Sequence, residues 1–276
     1  MTTVLQNCLE QQSGELTAFI HRNAPLLVLT GAGISTDSGI PDYRDSHGNW
    51  KRKQPVQHQD FMQSAATRQR YWARSLVGWP IMQQAQPNLA HHKIAELEHR
   101  GLVSLLVTQN VDRLHQKAGS TAVVDLHGRA DELVCMSCGY TEQRALMHAR
   151  CSALNPSLGS LSATVAPDGD ADLEMDFSDF IVPGCPQCDG ILKPDVVFFG
   201  DNVPRPRVDK VFEALAGSRG LLVIGSSLMV FSGFRFARQA HQANIPLALL
   251  TQGRTRADDL ASIKFDTAIA PLLGSI

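Results

Sequence analysis

The strongest constraint on the fold is a series of short apolar runs without polar alternation: Leu26–Thr30, Val103–Thr108, Val123–Leu126, Val196–Phe199, Leu221–Ile224 and Leu247–Leu250. Each has the length of a strand and is bounded by Gly, Asn, Pro or Asp. A strand with one face in water would alternate, so these runs predict strands of a parallel sheet covered on both faces. Helical patterns at Leu89–His99 and Val208–Ala216 fall between some of them, and the alternation predicts a doubly wound α/β domain. Two stretches do not fit the sheet. Gln54–Gln86 is polar and helix-like and carries Tyr71, Trp72 and Trp79, while residues 131–192 lack strong periodicity. Both read as insertions that would form a smaller second domain.

Composition narrows the classes. The 276 residues are 43% hydrophobic and 19% charged, which is ordinary for a globular chain able to bury a sizeable core. A formal charge of −2 gives no global attraction to nucleic acid or acidic membranes. No apolar run approaches the roughly 20 residues of a bilayer span. The first 24 residues, with Glu10, Gln11, Gln12 and Glu15, have neither the pattern of a secretory signal nor that of a transit peptide, so a cytoplasmic location is the expectation.

Polar clusters stand where the strands end. Leu26–Thr30 runs into Gly31-Ala32-Gly33-Ile34-Ser35. Closely spaced glycines after a strand let backbone N–H groups approach a pyrophosphate, although Gly-x-Gly is equally an ordinary turn. The following Ser38–Arg44 cannot continue a helix through Gly39 and Pro41, so it predicts a loop offering Asp42, Tyr43 and Arg44 over a nucleotide. Gln109, Asn110 and Asp112 follow the second run, His127-Gly128 the third, and Gly225-Ser226-Ser227 the run Leu221–Ile224. Asn110 and Asp112 could also cap the next helix. His127 has the near-neutral pKa that a general base requires, and its place at a strand end separates it from His91, His92, His99 and His115 in helix-like sequence.

Six cysteines are present, four of them as Cys135-x-x-Cys138 and Cys185-x-x-Cys188. Two such knuckles can close a tetrahedral structural zinc site with no open position for substrate. The 46 residues between the pairs exceed the usual ribbon spacing. Cys8 and Cys151 are left unpaired.

In family order and across almost the whole chain, the segments GAGISTDSGIPDYR (31–44), TQNVD (108–112), His127-Gly128, KPDVVFFGD (193–201) and GSSLMV (225–230) resemble those of sirtuins. QRYWAR (69–74), Gly78-Trp79-Pro80, APDGD (166–170) and TRADDLA (255–261) resemble the class II, sirtuin-4-like branch. The resemblance implies a Rossmann-like NAD-binding domain from residues 1–50, 88–130 and 193–276. Its small domain would combine a helical module (51–87) and a zinc-binding module (131–192).

The activity implied is NAD-dependent removal of acyl groups from protein lysines. The substrate amide oxygen displaces nicotinamide, and His127 takes a ribose hydroxyl proton directly or by relay. Free lysine and O-acyl-ADP-ribose leave. The resemblance also assigns the NAD loops, including Thr251-Gln252-Gly253 where most sirtuins have Asn in place of Thr251, and it assigns Gln109, Asn110 and Asp112 to the nicotinamide and its ribose. Val197 and Phe198 would line the acyl-lysine tunnel, although both also read as core residues. The peptide would add as a strand between Gly200-Asp201 and Leu228–Phe231.

Tyr71 and Arg74, three apart on a predicted helix, resemble the pair with which class III sirtuins hold acyl carboxylates; alternatively Tyr71 packs in the module and Arg74 is solvated. The acidic stretch Ala166–Phe180 would reach toward the substrate channel or remain a solvated loop. Two other functions are compatible with parts of the pattern. A mono-ADP-ribosyltransferase would use the same NAD site, and a zinc module could bind nucleic acid, against which the absence of a basic cluster near the cysteines argues.

Overall fold

A computed structural model describes residues 2–51, 55–158, 171, 173 and 175–276. Seven of the fifteen residues of the acidic stretch Ala166–Phe180, among them Asp168, Asp170, Asp172 and Glu174, lie outside the described residues.

Among the described residues, β1 (Leu26–Thr30), β2 (Val103–Thr108), β3 (Val123–Asp125), β7 (Gly220–Ile224), β8 (Leu247–Leu250) and β9 (Ile263–Phe265) form one parallel sheet in the order β3-β2-β1-β7-β8-β9. Every residue of β1, β7 and β8 is buried, which is why these strands read as unbroken apolar runs. One face packs under α1 (Thr2–Asn23), α4 (Leu89–His99) and α9 (Ile269–Gly274) through Leu16, Ile20, Ile94 and Leu272. The other packs under α7 (Arg205–Ala216) and α8 (Phe231–Gln242) through Val211, Leu215 and Phe236. Leu16, Phe19 and Ile20 put one apolar stripe of α1 against the sheet, a helix that the polar character of its other face conceals.

The strand order reverses between β1 and β7. In such sheets the crevice outside the carboxyl ends at the reversal is the ligand site. Gly31 and Gly225 stand there, immediately after the two strands.

A second sheet is antiparallel. β4 (Gly128–Cys135) pairs with β5 (Thr141–Gln143) and with β6 (Leu192–Val196), and α6 (Arg144–Leu154) follows β5 directly. The helical insertion is α2 (His58–Gln63) and α3 (Ala65–Gln84). Both insertions share one core, in which Phe61, Tyr71 and Trp72 meet Leu133, Met147 and Phe198.

The apolar run Val196–Phe199 is not a strand of the parallel sheet. Only Val196 is in a strand, the antiparallel β6; Val197 and Phe198 are irregular, and Phe199 makes an isolated parallel bridge to Gln57. Their apolar character serves aromatic packing instead: Phe198 contacts Phe61 and Tyr71, and Phe199 contacts Tyr43 and Trp50. The expected boundaries at 130/131 and 192/193 consequently cut through β4 and β6.

Candidate active site

The reversal point opens into a cleft of about 380 Å³. Its floor is the glycine turn. Gly33 N–H donates to Gly225 O at 2.9 Å, and a Cβ on Gly33 would stand 2.9 Å from that oxygen, so only glycine lets the two turns approach. Ala32 and Ser35 line the same floor, and Asp42, Tyr43 and Arg44 form one wall. Arg44 lies 4.1 Å over the Trp50 ring, and Asp42 is paired with Lys51 at 2.5 Å. Ser226, Ser227, Thr251 and Gln252 close the opposite side.

Gly253 does not reach the cleft. Its N–H donates to Asp266 Oδ1 at 2.9 Å and its carbonyl accepts from Lys264, which turns it away from the cleft toward β9.

Beyond β2, side chains hold one another in place. Asn110 Nδ2 donates to Gly31 O and to Ser35 Oγ, both at 3.1 Å. Ser35 Oγ donates to Asp112 Oδ2 at 2.7 Å, and Asp112 Oδ1 accepts from Leu114 N–H at the start of α5 (Leu114–Lys117). Asp112 thus supports a helix start as well as lining the cleft. Burial raises its pKa, opposed by these bonds. Gln109 Nε2 donates to Ser226 Oγ at 2.8 Å, joining the loop after β2 to the one after β7.

His127 stands immediately before β4, where Val197 N–H donates to its carbonyl at 2.8 Å. Its Nδ1 is 3.0 Å from Gln109 O, and Nε2 is 2.8 Å from Ser232 Oγ. A carbonyl only accepts, so Nδ1 carries the proton and Nε2 keeps the lone pair a base needs. Burial, with Arg207 and Arg235 nearby, lowers its pKa to about 4 against the bond to Gln109, so the ring is neutral around pH 7.

Val197 and Phe198 line the cleft and continue into a side recess of about 50 Å³. Tyr71 reaches this recess from α3 with Ser75 and Trp79; Arg74 does not. Arg74 Nε–H instead donates to Ala171 O at 2.6 Å. The guanidinium at the recess belongs to Arg144, the first residue of α6, which is 2% exposed, stacks over Trp72 at 4.4 Å and donates to Ser75 Oγ at 2.5 Å. Its position after a short strand gave the sequence reading no signal. Lys193, which opens the segment KPDVVFFGD, is buried beneath this loop, donates to Val196 O at 2.5 Å and shapes the turn that presents Val197.

The four cysteines of the two knuckles converge, their sulfurs all within 4.8 Å of one another. Cys135 and Cys188 sulfurs are 3.5 Å apart and those of Cys138 and Cys185 3.8 Å. A tetrahedron of thiolates at the usual Zn–S distance of about 2.3 Å has edges of about 3.8 Å, so the donor set fits zinc. Backbone N–H groups of Cys138 and Ser137 lower the pKa of the Cys135 thiol, whereas at Cys188, against a backbone bond from Gly190, the crowded sulfurs of Cys138, Cys135 and Cys185 raise it.

A Sir2 family model matches residues 31–232. The chain belongs to the Sir2 family. This sirtuin is 56% identical over 264 residues to an NAD-dependent protein deacetylase of Xanthomonas campestris pv. campestris, covering 95% of this chain and 90% of that one. It is 47% identical over 259 residues to the NAD-dependent protein deacylase Sirt4 of Drosophila melanogaster, covering 92% of this sirtuin and 83% of the relative. Among solved structures, a Sir2 bound to acetylated peptide superposes with a TM-score of 0.76 at 29% identity, covering 95% of each chain. A Sir2–p53 peptide–NAD+ complex gives 0.75 at 28%, covering 94% of this sirtuin and 95% of that chain.

Proposed function

We propose that this sirtuin is an NAD-dependent protein lysine deacylase that favours acyl groups ending in a carboxylate. The first part rests on a neutral His127 whose lone-pair nitrogen is held beside a glycine-floored cleft at the sheet's reversal point. NAD, when bound, supplies the ribose that accepts the acyl group. Gly31, Gly33 and Ser226 would hold its diphosphate, Asn110 and Asp112 its nicotinamide end, and His127 takes up the proton at Nε2. An acyl-lysine stem would pass Val197 and Phe198 into the side recess.

The observation that carries the acyl preference is Arg144. A buried guanidinium at the end of an apolar passage can bind a carboxylate by charge-assisted hydrogen bonds, which a methyl terminus does not offer. Mass spectrometry of acetyl-, glutaryl- and long-chain acyl-lysine peptides, with and without NAD, tests both parts. Arg144→Gln should lower kcat/KM on the glutaryl substrate about tenfold to a hundredfold, the 1.5–3 kcal/mol of a bond to a charged group, with a smaller effect on acetyl. Equal losses on both would assign Arg144 to the fold alone. ADP-ribosylated protein in place of free lysine would favour transfer to a protein side chain.

A further inference from the structure

We propose that Ser232 carries the proton from the reacting hydroxyl to His127. The inference rests on the deacylase reading above and concerns a serine at the first turn of α8.

The bond inventory leaves one assignment. Nδ1 of His127 spends its proton on Gln109 O, so the contact between Nε2 and Ser232 Oγ is one in which the serine donates. The lone pair of the base is therefore already engaged by a hydroxyl. Ser232 is half-buried and lines the cleft beside His127, and its oxygen keeps acceptor lone pairs for a second hydroxyl arriving from that side. That second hydroxyl gives its proton to Oγ while Oγ gives its own to Nε2. One substrate O–H bond breaks, one imidazole N–H bond forms, the serine ends as it began, and the freed electron pair stays on the substrate oxygen for attack.

The two partners are held in register by one residue. The Gln109 carbonyl fixes His127, and the Gln109 side chain lies against Gly233, where a Cβ would stand 2.6 Å from Oε1. The helix turn bearing Ser232 thus sits at a set distance from the imidazole. The charged groups around the base are Arg207 on α7, which is also paired with Asp195 on β6, and Arg235 on α8. Both cations weaken the hold of His127 on the proton it receives, so the carrier can be reset after each turnover.

Three measurements test the assignment. In the enzyme without NAD, ring-labelled histidine NMR should show the His127 titration midpoint rising by about one unit or more in Ser232→Ala, because a hydrogen bond donated to the neutral ring is lost. With NAD, deacylation by Ser232→Ala should fall about tenfold or more, while exchange of labelled nicotinamide into NAD, which precedes the proton transfer, stays within about twofold. Ser232→Thr, which keeps the hydroxyl, should hold both rates within about threefold of wild type. Parallel losses of exchange and deacylation, unchanged or faster deacylation in Ser232→Ala, or an unmoved His127 midpoint would each overturn it. Wild-type enzyme inactive on every acyl-lysine would instead remove the deacylase reading, and the titration would still report on the bond.

Discussion

Acid should weaken this protein through a pair of histidines beneath the glycine turn. His91 on α4 and His115 on α5 are both buried, their rings 4.8 Å apart, and His115 Nε2 lies 2.9 Å from Thr30 Oγ1 at the end of β1. Burial lowers His91 to about 4 and His115 well below its usual value. Because the folded state resists protonation, the full contribution is present above about 6.5, the unfolded value, and is lost as pH falls toward about 4. For His91 alone, linkage between those two values gives a loss of about 2 kcal/mol on going from about pH 7.5 to about pH 5. His91→Leu keeps similar volume and removes Nε2, a buried nitrogen without a hydrogen-bond partner, along with a 3.3 Å bond from Asn88 N–H. Urea unfolding of both proteins at the two pH values measures the difference, in which zinc and the carboxylate pairs cancel. The variant should be within about 1 kcal/mol of wild type at the higher pH and gain about 2 kcal/mol relative to it at the lower. Stability curves that fall in parallel would refute the reasoning.

His127→Ala should keep the fold and zinc yet lose deacylation by about a hundredfold or more in a steady-state peptide assay; near-normal turnover would remove it from the chemistry. Gly33→Ala should weaken NAD binding about tenfold or more by calorimetry, because the new methyl meets the backbone at Gly225 rather than a movable side chain. Cys138→Ser should cut zinc from about one per chain, by metal analysis, and lower the thermal midpoint. Arg74→Met should leave the ratio of glutaryl to acetyl turnover unchanged, since its guanidinium bonds to Ala171 O rather than facing the recess.

Local signals made most of the sheet and the cleft legible. Buried strands announce themselves by composition, and glycine, serine, asparagine and histidine at their ends stand out against apolar runs. The run Val196–Phe199 misled because an irregular segment enclosed by Phe61, Tyr71, Tyr43 and Trp50 is as apolar as a buried strand. Arg144 and Ser232 were not legible because each acts across more than sixty residues of sequence, on Trp72 and Ser75 in one case and on His127 in the other. Spacing along the chain carries no trace of such meetings. Tyr71 and Arg74 show the converse: neighbours on one helix that the fold sends to different destinations.

The antiparallel pair β4–β6 begins where the catalytic machinery ends. β4 starts directly after His127 and finishes at Cys135, while β6 starts four residues after Cys188 and finishes directly before Val197. The cysteine cluster is thus the far clamp of a two-rail track, about 25 Å long at the usual strand rise, whose near end carries the base on one rail and the acyl passage on the other. Releasing the clamp removes the restraint on the far ends of both rails, while the glycine floor stands on the other sheet. A chelator that strips the metal should therefore lower turnover more than it lowers NAD affinity.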